Sequence, residues 1–217
     1  MRIKMSPSVY FGFLCCVSVL IVNFACQKKQ NASLTETIAP TVHSVFNKNV
    51  GGLIDSATGN RWKRNLSNSL SKQTLGHVTS REYYLPAVTL RNLITEDKVA
   101  GVCFYYGKDS YGKVHLVPVA VDVRGSVVTA ASVGTSNGSV QWDIAKQWRM
   151  NFKQQHPRNI WGHFWGTVAI NRLLASGTET VRIELGQNDE GAQQIMFSDA
   201  AEAEPTEYGD RTRVCPP

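Results

Sequence analysis

Two stretches of this 217-residue chain echo each other, and that echo restricts the fold more than any other feature. Tyr84-Leu85-Pro86-Ala87-Val88-Thr89-Leu90-Arg91-Asn92-Leu93-Ile94 aligns with Phe164-Trp165-Gly166-Thr167-Val168-Ala169-Ile170-Asn171-Arg172-Leu173-Leu174 at an offset of 80. Val88 meets Val168, Leu90 meets Ile170 and Leu93 meets Leu173, a spacing that fits one face of a helix. At an offset of 79, Val102, Phe104 and Tyr106 then meet Val181, Ile183 and Leu185. Alternation at period two before Asp109-Ser110-Tyr111-Gly112 and Asn188-Asp189-Glu190-Gly191 predicts a β-hairpin in each copy. Upstream, Trp62-Lys63-Arg64-Asn65-Leu66 resembles Trp148-Arg149-Met150-Asn151-Phe152. Each copy therefore reads as helix, loop, helix, strand, strand.

A lone hairpin is marginally stable in water, so the copies are expected to share one core. The expected fold is α+β: two tandem helix-helix-strand-strand units forming an antiparallel sheet covered by helices on one face. The units span residues 51–124 and 140–200, with a linker at 125–139 and a C-terminal tail at 201–217. Hydrophobic residues at 42% and charged residues at 18% suit a packed core and argue against disorder.

Residues 1–25 read as a signal peptide and 26–50 as a polar tether. Arg2 and Lys4 precede an uncharged apolar run from Val9 to Ala25, and Ala25 stands before Cys26. This is similar to the lipobox of bacterial lipoproteins, which implies lipidation of Cys26; Asn23 stands where that pattern prefers an aliphatic residue. Plain secretion and an uncleaved N-terminal anchor are the alternatives. The expected address is the bacterial cell envelope, lipid-anchored on the periplasmic or surface side, with the membrane as partner through the N-terminal lipid. The formal charge is +6, and cleavage before Cys26 removes two positive charges and no acid, leaving +4. No Lys/Arg block exceeds two residues, so no nucleic-acid partner is expected.

Of five cysteines, Cys15 and Cys16 lie in the signal and Cys26 at the lipid position. Cys103 and Cys215 remain, and an even pair in an oxidising compartment suggests a disulfide. Two unrelated thiols, with Cys103 buried as a small hydrophobe, are the alternative. The repeat register sets Cys103 opposite the apolar face, on the open side of the sheet, where the extended C-terminus reaches it.

Several stretches together resemble a family of uncharacterised lipoproteins of Bacteroidota. They are Trp148–Asn151, His163-Phe164-Trp165-Gly166, Ile170–Leu174, Val181-Arg182-Ile183-Glu184-Leu185, Asp189-Glu190-Gly191 and Arg213-Val214-Cys215-Pro216-Pro217. The first copy adds Cys103-Phe104-Tyr105-Tyr106-Gly107-Lys108-Asp109. The resemblance covers about two thirds of the chain and implies no activity. Val214 departs from it, standing where the family has proline.

Four of five tryptophans fall within residues 142–165. Trp161, His163 and Trp165 are candidates for an aromatic ligand platform, with His163 titrating near neutrality. The competing reading is plain core, because aromatic residues dominate core energetics without a ligand. Cys103 and His115 on adjacent strands form a conceivable thiol–base pair, though nothing in the sequence supplies a lowered thiol pKa or an oxyanion donor. Pro157 between His156 and His163 ends the helix and denies them a metal-binding spacing, and no zinc, nucleotide or nucleophile-elbow motif occurs. Neither cofactor, metal nor catalytic residue is therefore assigned. The leading expectation is a non-catalytic interaction or structural module with a possible protein partner. The alternatives are an envelope hydrolase with a site near Cys103/His115 or His163, and an immunity-type protein that binds an exported toxin.

Overall fold

A computed structural model describes residues 46–70, 81–128, 132–135, 138–157, 159–210 and 213–215. The signal peptide, Cys26 and most of the tether lie outside the described residues. No helix among the described residues is long and apolar enough to cross a membrane.

The chain begins with β1 (Gly52–Asp55), α1 (Ser56–Leu70), β2 (Glu82–Pro86) and α2 (Ala87–Leu93). A hairpin of β3 (Gly101–Lys108) and β4 (Val114–Val121) follows, then short strands β5 (Ser132–Thr135) and β6 (Gly138–Gln141). Next come α3 (Trp142–Gln155), β7 (Gly162–Gly166), α4 (Thr167–Leu174) and the hairpin β8 (Thr180–Gln187) with β9 (Gln193–Asp199). β10 (Glu207–Asp210) and β11 (Arg213–Val214) end the described chain. The class is α+β with antiparallel sheets.

Local chemistry sets several boundaries. Asp55 Oδ1 accepts the Thr58 N–H at 2.7 Å and caps α1. α3 carries Asp143 in its first turn, favourable to the helix dipole, and stops at His156 because Pro157 follows. In both hairpin turns one side chain accepts two backbone N–H groups. Asp109 Oδ1 serves Tyr111 and Lys113, and Asn188 Oδ1 serves Glu190 and Ala192. Gly112 and Gly191 complete these turns at φ 83°, a region side chains avoid.

Three expectations need correction. First, the strands do not form one sheet. A five-stranded sheet runs β1-β10-β9-β8-β2 and a four-stranded sheet runs β11-β7-β3-β4, with β5 and β6 as a separate pair. β2 leaves its own hairpin to pair with β8, and β7 pairs with β3. The reason is edge pairing: each strand beside a short helix finds open N–H and C=O groups on the other hairpin. Second, Tyr84–Pro86 and Phe164–Gly166 are strand, not helix; α2 and α4 begin only at Ala87 and Thr167. The apolar spacing of the helices is real but covers their later residues alone. Third, the helices do not share one face of a single sheet. α1 lies on the outer face of the first sheet, where Lys63 Nζ reaches Glu184 Oε1 at 3.1 Å and the Tyr208 hydroxyl at 2.9 Å. α3 lies on the outer face of the second, where Arg149 stacks over Tyr105.

The inner faces of the two sheets meet in the main core. Val102, Phe104, Tyr106 and Trp165 pack against Val181, Ile183, Leu185, Ile195 and Phe197. Phe104 and Phe197 rings lie 4.9 Å apart, and Trp165 stacks on Phe197 at 4.1 Å with planes 5° apart. Such aromatic side chains each bury roughly 150–250 Å², or about 4–6 kcal/mol of transfer free energy. A second cluster covers the outer face of β3, β4 and β7. It includes Phe46 and Val50, so the end of the segment read as tether is packed core. β3 is thus buried on both faces and reads as a continuous apolar run, whereas β8 carries Arg182 and Glu184 outward and alternates.

Candidate functional site

β7 runs between two recesses, and the three residues singled out from sequence divide among them. Trp161, half-buried just before the strand, donates from Nε1 to the His156 carbonyl at 3.2 Å and lines one recess. Trp165 is 1% exposed and forms the floor of the other. His163 between them is fully buried, edge-on to Tyr106 at 6.0 Å between ring centres. Burial depresses the His163 pKa to about 3, so the imidazole is neutral at physiological pH. The strand thus does not gather Trp161, His163 and Trp165 into one exposed platform: His163 is core, and Trp165 and Trp161 border separate recesses.

The recess over Trp165 measures about 210 Å³. Leu53, Val168, Arg172, Asp199 and Glu202 are among its walls. Backbone approaches the indole closely here: a Cβ at Gly209 would lie 2.4 Å from Trp165 Cζ2, and one at Gly51 still nearer Nε1. Glycine at both positions is what lets the indole lie flat beneath the chain.

The recess at Trp161 measures about 280 Å³. α3 contributes Lys146, Arg149, Met150 and Lys153, and β3 contributes Tyr105 and Tyr106. The Arg149 guanidinium lies 3.5 Å from the centre of the Tyr105 ring, and Lys153 Nζ lies 4.3 Å from that of Trp161. These cations were missed from sequence, although their positions i, i+3 and i+7 share one helix face.

Beneath Tyr105, Cys103 and Cys215 meet. β11 pairs with the free edge of β7, the Cys215 N–H donates to the Gly162 carbonyl at 2.9 Å, and the two Sγ atoms lie 2.6 Å apart. Both residues are buried. Burial first, and then the Cys103 contact, push the Cys215 thiol well above its usual pKa. Cys103 does face away from the apolar side of β3, but that face is not open: α3 and Phe46 cover it.

Cys103 and His115 are not brought together. In the hairpin Cys103 opposes Val119 while His115 opposes Gly107, four rungs away, or about 13 Å along the strand. His115 Nε2 instead bonds Asp109 Oδ2 at 2.7 Å, and Trp148 stacks on the imidazole at 4.4 Å. Burial works against the Asp109 anion, but the His115 bond and the Lys113 and Tyr111 N–H groups outweigh it and hold its pKa below the usual range. Among the described residues, no three His, Cys, Asp or Glu side chains converge as a metal-binding group.

No protein-family model, curated protein or solved structure matches the chain.

Proposed function

We propose that the chain is an exported module of a bacterial cell envelope, tethered by lipid on Cys26, that acts by binding rather than by catalysis. The observation that carries this reading is the commitment of the reactive side chains. Cys103 abuts Cys215, His115 is held by Asp109 and Trp148, and His163 is buried and neutral. A nucleophile needs an accessible thiolate and a base within hydrogen-bond reach; Cys103 is fully buried, and His115 lies four rungs from it. The two recesses beside β7, by contrast, are concave and lined by indole rings, the usual form of a recognition surface.

Within this reading Cys103 and Cys215 are joined as a disulfide in the oxidising compartment outside the cytoplasm, formed by exchange with a thiol oxidant. The order α1-β2-α2-β3-β4 followed by α3-β7-α4-β8-β9 supports descent from two tandem copies whose strands have exchanged partners. The resemblance to Bacteroidota lipoproteins agrees with the address, and the partner is a protein or a ligand met at the membrane surface.

Two measurements on protein purified from the envelope test the proposal. An alkynyl fatty acid is expected to label the wild type and not Cys26→Ser; equal labelling removes the lipid tether. A maleimide polymer is expected to leave Cys103 and Cys215 unmodified in denaturant until reductant is added. Rapid modification of Cys103 in the native protein would instead favour a thiol hydrolase.

A further inference from the structure

Lys146, Arg149 and Lys153 line the recess at Trp161, and among the described residues no carboxylate lines it with them. Lys146 bonds Asp143 at 2.6 Å on the solvent side of α3. Arg149 and Lys153 instead lie over the Tyr105 and Trp161 rings. A ring face attracts a cation through its quadrupole and orients it without cancelling its charge. The result is two cations, held in place before any ligand arrives and lacking a carboxylate partner among the described residues. Apolar surface stands beside them: Met150 is 53% exposed, and Trp161 and Tyr106 complete the wall.

We propose that this recess binds an organic phosphate. The phosphate group lies on Arg149 and Lys153, and the attached apolar group lies against Met150 and Trp161. A phosphate monoester carries about −1.5 to −2 charges at neutral pH, which matches the two cations; a carboxylate would leave one of them unanswered. The guanidinium edge, free while its face is stacked, presents the N–H fork that phosphate oxygens accept. The shared chemistry is a phosphate monoester, carried by a lipid headgroup such as that of phosphatidic acid or by a soluble ester. The inference rests on the reading of the chain as a binding module and names the ligand class of one of its recesses.

The test is calorimetric titration of the full chain in phosphatidylcholine nanodiscs with phenyl phosphate, inorganic phosphate and benzoate. Phenyl phosphate is expected to bind, and Arg149→Gln and Lys153→Gln are each expected to weaken it about ten-fold while leaving the thermal midpoint in place. Inorganic phosphate and benzoate are expected to bind at least about ten-fold more weakly than phenyl phosphate. Undiminished binding in both variants overturns the site. Benzoate binding as tightly as phenyl phosphate overturns the phosphate assignment, and inorganic phosphate doing so overturns the apolar contact. Repeating the titration with phosphatidic acid, a lipid phosphate monoester, in the nanodiscs separates the sources. Displacement of phenyl phosphate supports the site with a lipid ligand, and an unchanged titration supports it with a soluble one. A chain that binds phenyl phosphate yet takes no label at Cys26 has lost its address and kept its site. A labelled chain that does not bind has lost the site alone.

Discussion

Acid should unfold this protein earlier than its carboxylates alone require, and His163 is the reason. The folded state keeps the imidazole neutral with a pKa of about 3, while an unfolded chain protonates it near 6.5. Its folded pKa is depressed, so its full stabilising share is present above pH 6.5 and is lost progressively as pH falls towards 3. The slope in that window is about 1.4 kcal/mol per pH unit, and the whole loss is about 5 kcal/mol. That is a large fraction of the roughly 5–15 kcal/mol that holds a domain together. Between pH 7 and 4.5 the loss is about 2–3 kcal/mol, which at about 2 kcal/mol per molar urea lowers the midpoint by about 1 M. Asp109, Asp122 and Asp189 have pKa values lowered from 3.8 and act only at the acid end of this window and below it, outside the range from pH 7 to 4.5. The assay is urea unfolding by tryptophan fluorescence at half-unit pH steps, comparing wild type with His163→Phe. The variant is expected to show a flat midpoint from pH 7 to 4.5. Parallel wild-type and variant profiles, or a flat wild-type profile, would refute the argument from burial.

Three further outcomes are expected. Gly209→Ala drives a methyl group into Trp165 and should lower stability by about 1–3 kcal/mol, read as a fall in thermal midpoint; an unchanged midpoint means the indole moves freely. Asp109→Ala removes the acceptor of two backbone N–H groups and of His115, and should lose about 2 kcal/mol in chemical denaturation, with exchange protection falling first at the β3–β4 turn. A Cys103→Ser, Cys215→Ser double variant should be less stable than oxidised protein by about 5 kcal/mol, the chain-entropy value for a closed loop whose ends are 112 residues apart. Equal urea midpoints for the two forms would remove the disulfide.

Much of the local structure was legible because its causes are local. Alternation at Val102–Tyr106 and Val181–Leu185 marks the hairpin strands, and an Asp or Asn three residues before Gly112 or Gly191 marks their turns. Pro157 marks the end of α3. The strands β2 and β7 were not legible. Tyr84–Pro86 and Phe164–Gly166 are strand only because an edge of the other hairpin lies within hydrogen-bonding distance, and no property of those residues encodes where that edge will be. The same holds for the candidate site. Trp161, His163 and Trp165 stood out by composition, but strand alternation and sheet packing sent two of them into the core.

By itself, then, the sequence determined the segments that obey period and turn chemistry: two hairpins, four helices in outline, and the face of β3 on which Cys103 lies. Those features depend on forces acting within a few residues, where side-chain spacing and backbone preference settle the outcome. Tertiary structure alone decided that the hairpins fall in two sheets packed face to face, that the C-terminus arrives as a strand on the free edge of β7, and that Arg149 and Lys153 come to rest on aromatic rings from other segments. Those results come from burial of apolar surface and from pairing of free strand edges. Both forces act between segments far apart in the chain and choose partners by shape, not by order in the sequence.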